Sequence, residues 1–302
     1  MSNVIQVLFN SLRLGSIVAL ATLGIVLIFR TSRATNFAQG TIGTFNAFIA
    51  AYFSIRVGLS VWTSMLIALV TAFIMGVVID KLFIRPAAKA NPVSKQILTL
   101  GIILILVGIM NSSIGFLNTV FPSVTVRPQP FFTTEMQILG ARVGHNTLFI
   151  FGLTIFLMAV IFFVIQKTRW GLATRATASN EPIARLMGVP TKTITMFSWA
   201  IAAMLAAIAG ISLAPGPGID VNLLLGVQIS AFFAAVFGGF STFFGPVVAA
   251  YLLGFAISLG AFVFSTMGGS AVFAEILVYT LVLVILYFKP FGLFGKPPVR
   301  KV

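Results

Sequence analysis

The 302-residue chain offers few groups for covalent or acid–base chemistry: five acids (Asp80, Glu135, Glu181, Asp220 and Glu275), one histidine (His145) and no cysteine. No apolar run holds a pair of carboxylates, and neither an H-E-x-x-H run nor a G-x-x-x-x-G-K-[ST] loop occurs. Without cysteine there is no thiol nucleophile, disulfide framework or thiolate metal site. No catalytic residue, metal ligand or cofactor is therefore expected. His145 has no acid nearby in sequence and reads as a solvated loop residue. Asp80 beside Lys81 reads as an interfacial pair. Glu275 lies about one turn inside the last apolar run, where a charge costs less than the roughly 2.5–3.5 kcal/mol of the bilayer centre. It reads as structural.

The chemistry that remains is non-covalent. Asn36, Gln39, Thr41, Thr44 and Asn46 gather amides and hydroxyls at the start of the second apolar run. Such groups either line a path for a polar solute or bridge helices through hydrogen bonds worth roughly 0.6–2 kcal/mol. Gly40 and Gly43, with Gly238, Gly239 and Gly245, mark places where irregular backbone could meet a zwitterion, close helix packing being the alternative. The expected solute path comprises Asn36, Gln39, Gly40, Thr41, Gly238 and Gly239. The small residues Ala202, Ala206 and Gly210 read as ordinary helix contacts.

A second cluster lies in ASNEPIARLMGVP. Asn180 is suited to cap a helix, Pro182 falls in the first turn where its missing N–H does no harm, and Glu181 suits the positive helix end. Ile183, Leu186 and Met187 share one face, Gly188 follows as a terminator and Pro190 forbids continuation. With Ala184 completing the segment, this is a two-turn helix with both ends specified. Helices this short are marginal in water, so its apolar face must lie on something: the membrane surface, its own bundle or a partner.

The elements around these clusters are membrane spans. The chain is 59% hydrophobic and 8% charged, against about 25% charged in a soluble domain. Nine apolar runs approach the roughly 20 residues a spanning helix needs: 12–29, 37–55, 61–79, 97–116, 147–165, 194–214, 225–240, 245–264 and 271–288. The seventh is short and contains Gly238 and Gly239, so eight spans with one re-entrant segment is the alternative. The fold expected is an all-α polytopic membrane protein of about eight or nine helices, forming one domain over 1–302. With nine spans and an inner C-terminus, fifteen of the 19 Lys and Arg face the cytoplasm and only Arg13, Arg56, Arg127 and Arg142 lie outside. The N-terminus is then external. That distribution accounts for the net charge of +14 without nucleic acid as partner. Two connections exceed a turn. The outer one, 117–146, carries β-prone pieces at 124–126 and 136–139 and reads as a small external hairpin; the inner one, 166–192, holds the capped helix.

The stretch RATASNEPIARLMGVP resembles the cytoplasmic coupling loop of permeases of the branched-chain amino acid ABC importers, the leucine, isoleucine and valine transport family. GSIVALATLGIVLIF (15–29), NFAQGTIGTFNAF (36–48) and GGFSTFFGPVVAAYLLG (238–254) are similar to the same family, and TLGIILIL (99–106) more weakly so. The resemblance implies a second permease subunit, copy or paralogue, two cytoplasmic ATPase subunits, an external solute-binding protein and residence in a bacterial inner membrane. It also implies that the segment from Asn180 to Gly188 docks on the ATPase. Val18 stands where members commonly carry Tyr, and Gln39 where they often carry His; related permeases move urea and other small amides. An ion-coupled secondary transporter would need an intramembrane acid beyond Glu275. A structural or receptor-like membrane protein would leave the capped inner helix without a purpose.

Overall fold

The computed structural model describes residues 2–118, 127–138, 140–240 and 242–295. Among them are eleven α-helices and one two-stranded hairpin. α1 covers Ser2–Ser32, α2 Gln39–Ala51, α3 Val61–Ile79 and α4 Pro92–Asn118. Strands β1 (Glu135–Ile138) and β2 (Ala141–Gly144) precede α5 (His145–Lys167), α6 (Arg169–Ser179) and α7 (Glu181–Leu186). Then follow α8 (Thr191–Leu213), α9 (Leu225–Gly238), α10 (Phe244–Thr266) and α11 (Val272–Phe288). Wider π-type turns carry α2 on to Arg56 and α3 on to Ile84.

α1 and α8 are the inner helices. Of their most apolar stretches 78% and 72% are buried, against 22% for α4 and α5. α1 is apolar all round from Ile17 to Ile28, the pattern of a helix enclosed by others. α8 is narrow instead: Ala202, Ala203, Ala206, Ala207, Ala209 and Gly210 are all buried, so neighbours approach its backbone directly. A Cβ at Gly210 would lie 2.6 Å from the Gly43 carbonyl oxygen of α2, and one at Gly76 of α3 would lie 2.6 Å from the Ala200 Cα. The α1–α10 crossing is built likewise, a Cβ at Gly254 falling 2.7 Å from the Gly15 Cα. The outer helices turn large apolar side chains outward, Leu104 of α4 and Phe156 of α5 among them. Such an exterior suits hydrocarbon or an apolar partner and not water.

Among the described residues six helices are long and apolar enough to cross a membrane, fewer than the nine runs in the sequence. The difference lies in α2, α9 and α11. With 14 residues α9 is about 21 Å long, short of the roughly 30 Å hydrocarbon layer. It stops because Gly239 takes φ 88°, a left-handed conformation open to glycine. α2 is 13 residues before its π-type extension, and α11 is 17.

Two loops also depart from expectation. β1 pairs antiparallel with β2, Glu135 opposite Gly144 and Ile138 opposite Ala141, around Gly140 at φ 82°. The expected strand at 124–126, and Leu139, lie outside the described residues. His145 is the first residue of α5 rather than a free loop residue: its Nδ1 lies 3.0 Å from the Thr134 carbonyl oxygen, which also accepts its backbone N–H. The inner connection holds a helix that local pattern did not reveal, α6. Thr168 caps it by accepting from the Gly171 N–H at 3.1 Å, and Gly171 permits the tight α5–α6 bend, where a Cβ would lie 2.2 Å from the Ile165 carbonyl oxygen.

Basic residues gather at one end of the bundle. There Arg33 donates to the Ala178 carbonyl, Arg85 to the Lys192 carbonyl at 3.4 Å and Gln96 to Thr35 at 3.3 Å, joining the end of α1 to α6, the end of α3 to α8 and the start of α4 to the α1–α2 connection. The opposite end carries the hairpin and a ring cluster in which Trp62 stands 5.3 Å from both Phe131 and Phe149.

Candidate functional site

The segment Asn36–Gly40 lies where four helices converge. Asn36 and Gln39 are wholly buried, yet their polar atoms are partnered. The Asn36 Oδ1 accepts from the Ala38 N–H at 2.9 Å and its Nδ2 donates to the Gln39 Oε1 at 3.0 Å. The Gln39 Nε2 donates to the Ala202 carbonyl of α8 at 2.8 Å. Gln228 of α9 accepts from the Gly40 N–H through Oε1 and donates weakly to the Asn36 carbonyl at 3.4 Å. The Phe37 N–H donates to Thr99 Oγ1 of α4 at 3.1 Å. The free N–H groups at the start of α2 thus receive acceptors from two other helices, as a buried helix end requires.

Glycines make this convergence possible. A Cβ at Gly24 of α1 would sit 2.0 Å from the Gln39 Nε2, and one at Gly40 would meet the Gln228 Cβ and the Leu224 carbonyl oxygen at 3.0 Å. Further along α2, Thr44 Oγ1 accepts from the Leu224 N–H at 3.3 Å. Asn46 Oδ1 accepts from Thr71 of α3 at 2.8 Å, and its Nδ2 donates to the Ile42 carbonyl at the same distance. Thr41 is different. It is half-exposed on the face that also carries Phe37, Phe45 and Phe48, beside the stripe of α9 formed by Leu225, Ile229 and Phe232. The two stripes touch through the Phe37 and Phe232 rings, 5.0 Å apart.

The structure therefore brings Asn36, Gln39, Gly40 and Thr41 together and sets Gly238 and Gly239 apart from them. The pair lies ten residues beyond Gln228 on α9, about 15 Å along the axis. It forms a joint instead: a Cβ at Gly238 would lie 2.3 Å from the Pro246 N, and one at Gly239 2.7 Å from the Gly295 Cα. The segment after α11 seals this joint, Leu293 donating its N–H to the Phe237 carbonyl at 2.7 Å. Gln228, Gly24 and Thr99 were not anticipated. The only local sign of Gln228 is one amide in an otherwise apolar helix.

The second site is α7. Asn180 Oδ1 accepts from the Ile183 N–H at 3.2 Å, Pro182 occupies the first turn, and Gly188 at φ 80° ends the helix while Val189 bonds back to Ala184 at 3.0 Å. Arg185 pairs with Glu181 at 2.8 Å across one turn. Ala184 is buried against the bundle, whereas Leu186 is 87% and Met187 79% exposed, with Ile183 beside them. The apolar face of α7 is turned outward, away from its own bundle.

A sequence model of the family described as "Branched-chain amino acid transport system / permease component" matches residues 7–288. The chain is 29% identical to the high-affinity branched-chain amino acid transport system permease protein BraD of Pseudomonas aeruginosa, over 99% of this chain and 98% of that one. It is 26% identical to the permease protein LivH of Escherichia coli, over 99% and 97%, and 25% identical to a probable LivH of Methanocaldococcus jannaschii, over 96% and 92%. Among solved structures it is similar in fold to "PsaBC from Streptococcus pneumoniae in complex with Fab", at a TM-score of 0.50, 15% identity and coverage of 94% of this chain and 91% of that one. By this match along nearly its whole length, the chain belongs to the permease-component family of branched-chain amino acid transport systems.

Proposed function

We propose that this chain is a membrane subunit of an ATP-binding-cassette importer that moves branched-chain amino acids across a bacterial inner membrane. It works with a second permease subunit, two cytoplasmic ATPase subunits and an external solute-binding protein, and hydrolyses nothing itself. The observation that carries this reading is α7, a helix capped at both ends whose Leu186 and Met187 face outward, uncovered among the described residues. It is the docking element for the ATPase, by the helix-in-groove mode.

The chain crosses the membrane eight or nine times in this reading, with the N-terminus outside. Arg30, Arg85, Lys95, Arg175 and Arg185 then mark the cytoplasmic end and Arg142 of the hairpin the external one. The solute path follows the joint face of α2 and α9, with Thr41 on its wall and Asn36, Gln39 and Gly40 as its polar backing, while Gly238 and Gly239 close the packed joint at the far end of α9. The second permease subunit covers this face. Val18 and Gln39, where the sequence departs from its family, are both fully buried. Buried there, neither side chain selects a solute by direct contact, and it is the family match that supports branched-chain amino acids over urea as solute.

The test is ATP-driven uptake of labelled leucine and of labelled urea into proteoliposomes holding the complete importer. Leucine uptake that needs both ATP and the binding protein is expected. Urea uptake without leucine uptake would overturn the solute, and leucine uptake without ATPase subunits would overturn the mechanism.

A further inference from the structure

Behind α7, on the side away from Leu186 and Met187, lies a cleft of about 260 Å³ between α7, the end of α3, the start of α4 and the start of α8. Its charged lining is Asp80, Arg85, Lys95, Glu181, Arg185 and Lys192. Both acids are already engaged, Asp80 with Arg85 at 3.1 Å and Glu181 with Arg185 at 2.8 Å. Lys95 and Lys192 have no carboxylate partner among the described residues. Arg85 has a further donor: its Nε is buried with no acceptor among the described residues, although the Nη2 of the same guanidinium serves both Asp80 and the Lys192 carbonyl. A buried N–H without an acceptor is costly, and a guanidinium edge beside two free ammonium groups is chemistry matched to phosphate oxygens.

We propose that this cleft binds a phosphate-bearing anion, which ties Lys95 at the start of α4 and Lys192 at the start of α8 to Arg85 behind the coupling helix. The shared ligand chemistry is a phosphate group, supplied either by inorganic phosphate from solution or by the headgroup of an anionic lipid, since basic pockets between helix ends hold such headgroups. A carboxylate of a docked protein fits less well. Glu181 and Arg185 line the cleft from the flank of α7, already paired with each other, whereas a protein seated on Leu186 and Met187 meets α7 from another side.

The test uses the purified full-length permease in nanodiscs, so it stands apart from whether α7 docks an ATPase. In phosphatidylcholine nanodiscs, inorganic phosphate is titrated at constant ionic strength against chloride while hydrogen exchange is read at residues 80–86 and 180–195. A second arm replaces phosphatidylcholine with phosphatidylglycerol and omits phosphate. Saturable protection by phosphate identifies the soluble source, and protection in phosphatidylglycerol alone identifies the headgroup. Lys95→Gln with Lys192→Gln, both outside the helix core, should weaken binding about tenfold or more, as loss of charge-assisted bonds implies. Absence of saturable protection in the wild-type protein in both arms would overturn the proposal whatever the variant does. So would equal protection in a folded double variant, or a double variant whose one defect is loss of ATPase subunits, which would assign the lysines to a protein contact.

Discussion

Replacing Leu186 by Glu separates folding from docking, because the two make opposite demands on this side chain. At 87% exposure Leu186 contributes little to its own fold, and exposed substitutions of this kind fall within about 0.5 kcal/mol. A glutamate near the end of α7 adds at most a few tenths through the helix dipole. In a docked complex the same position is buried. Loss of the leucine there removes about 1.5–3 kcal/mol of apolar burial. An unpaired carboxylate left in the interface costs roughly 3 kcal/mol or more. Together these weaken docking by about 5 kcal/mol, more than three decades in affinity. The assay is affinity purification of the permease from membranes, scoring ATPase subunits per permease, followed by uptake in proteoliposomes. Leu186→Glu should insert normally, melt like the wild type and emerge without ATPase subunits or ATP-driven uptake. Ala184→Glu is the contrast, since Ala184 is only 5% exposed and its replacement should lower the yield of folded protein. Should Leu186→Glu and Met187→Glu both keep stoichiometric ATPase and full uptake, α7 is not the docking element.

Three further outcomes follow from the packing. Gln39→Leu deprives the Asn36 Nδ2 of its acceptor, costing roughly 1–3 kcal/mol, and removes the second donor to the Ala202 carbonyl, which keeps its helical bond; it should reduce folded protein in detergent thermal melts, whereas Thr41→Val should change the leucine KM at unchanged yield. A stable Gln39→Leu protein with no uptake would place Gln39 on the path wall itself. Gly210→Val drives side-chain atoms into the Gly43 carbonyl and should abolish the folded state, while Gly101→Ala, with nothing within 4 Å of the added methyl, should be silent in the same melts. Single cysteines at positions 175 and 142 of this cysteine-free chain should react with an impermeant maleimide from the cytoplasmic and external sides respectively, and labelling of position 175 from outside would invert the orientation.

What was legible in the sequence was what is local. The ends of α7 were readable because Asn180, Pro182 and Gly188 each act within a few residues, and the inner position of α1 is consistent with an apolar run that has no polar face. α6 was not, because its cap is one threonine among polar loop residues and its inner face is Thr174 and Thr177 rather than an apolar stripe. The Gly238–Gly239 pair pointed to irregular backbone, yet its partner, the segment around Gly292 and Gly295, lies more than fifty residues later, beyond the last apolar run. The same limit governs the polar cluster. A run of amides at the head of a span is compatible with a solute wall or with a helix brace, and the deciding partners, Ala202 and Gln228, stand 163 and 188 residues from Gln39 and Gly40. In hydrocarbon the two roles are not alternatives for the segment as a whole. The N–H groups that begin α2 must find acceptors before any solute arrives. Gln228, Thr99 and Asn36 supply them, and with the backbone satisfied from within, the proposed path asks only the next residue on the open face, Thr41, to meet a solute.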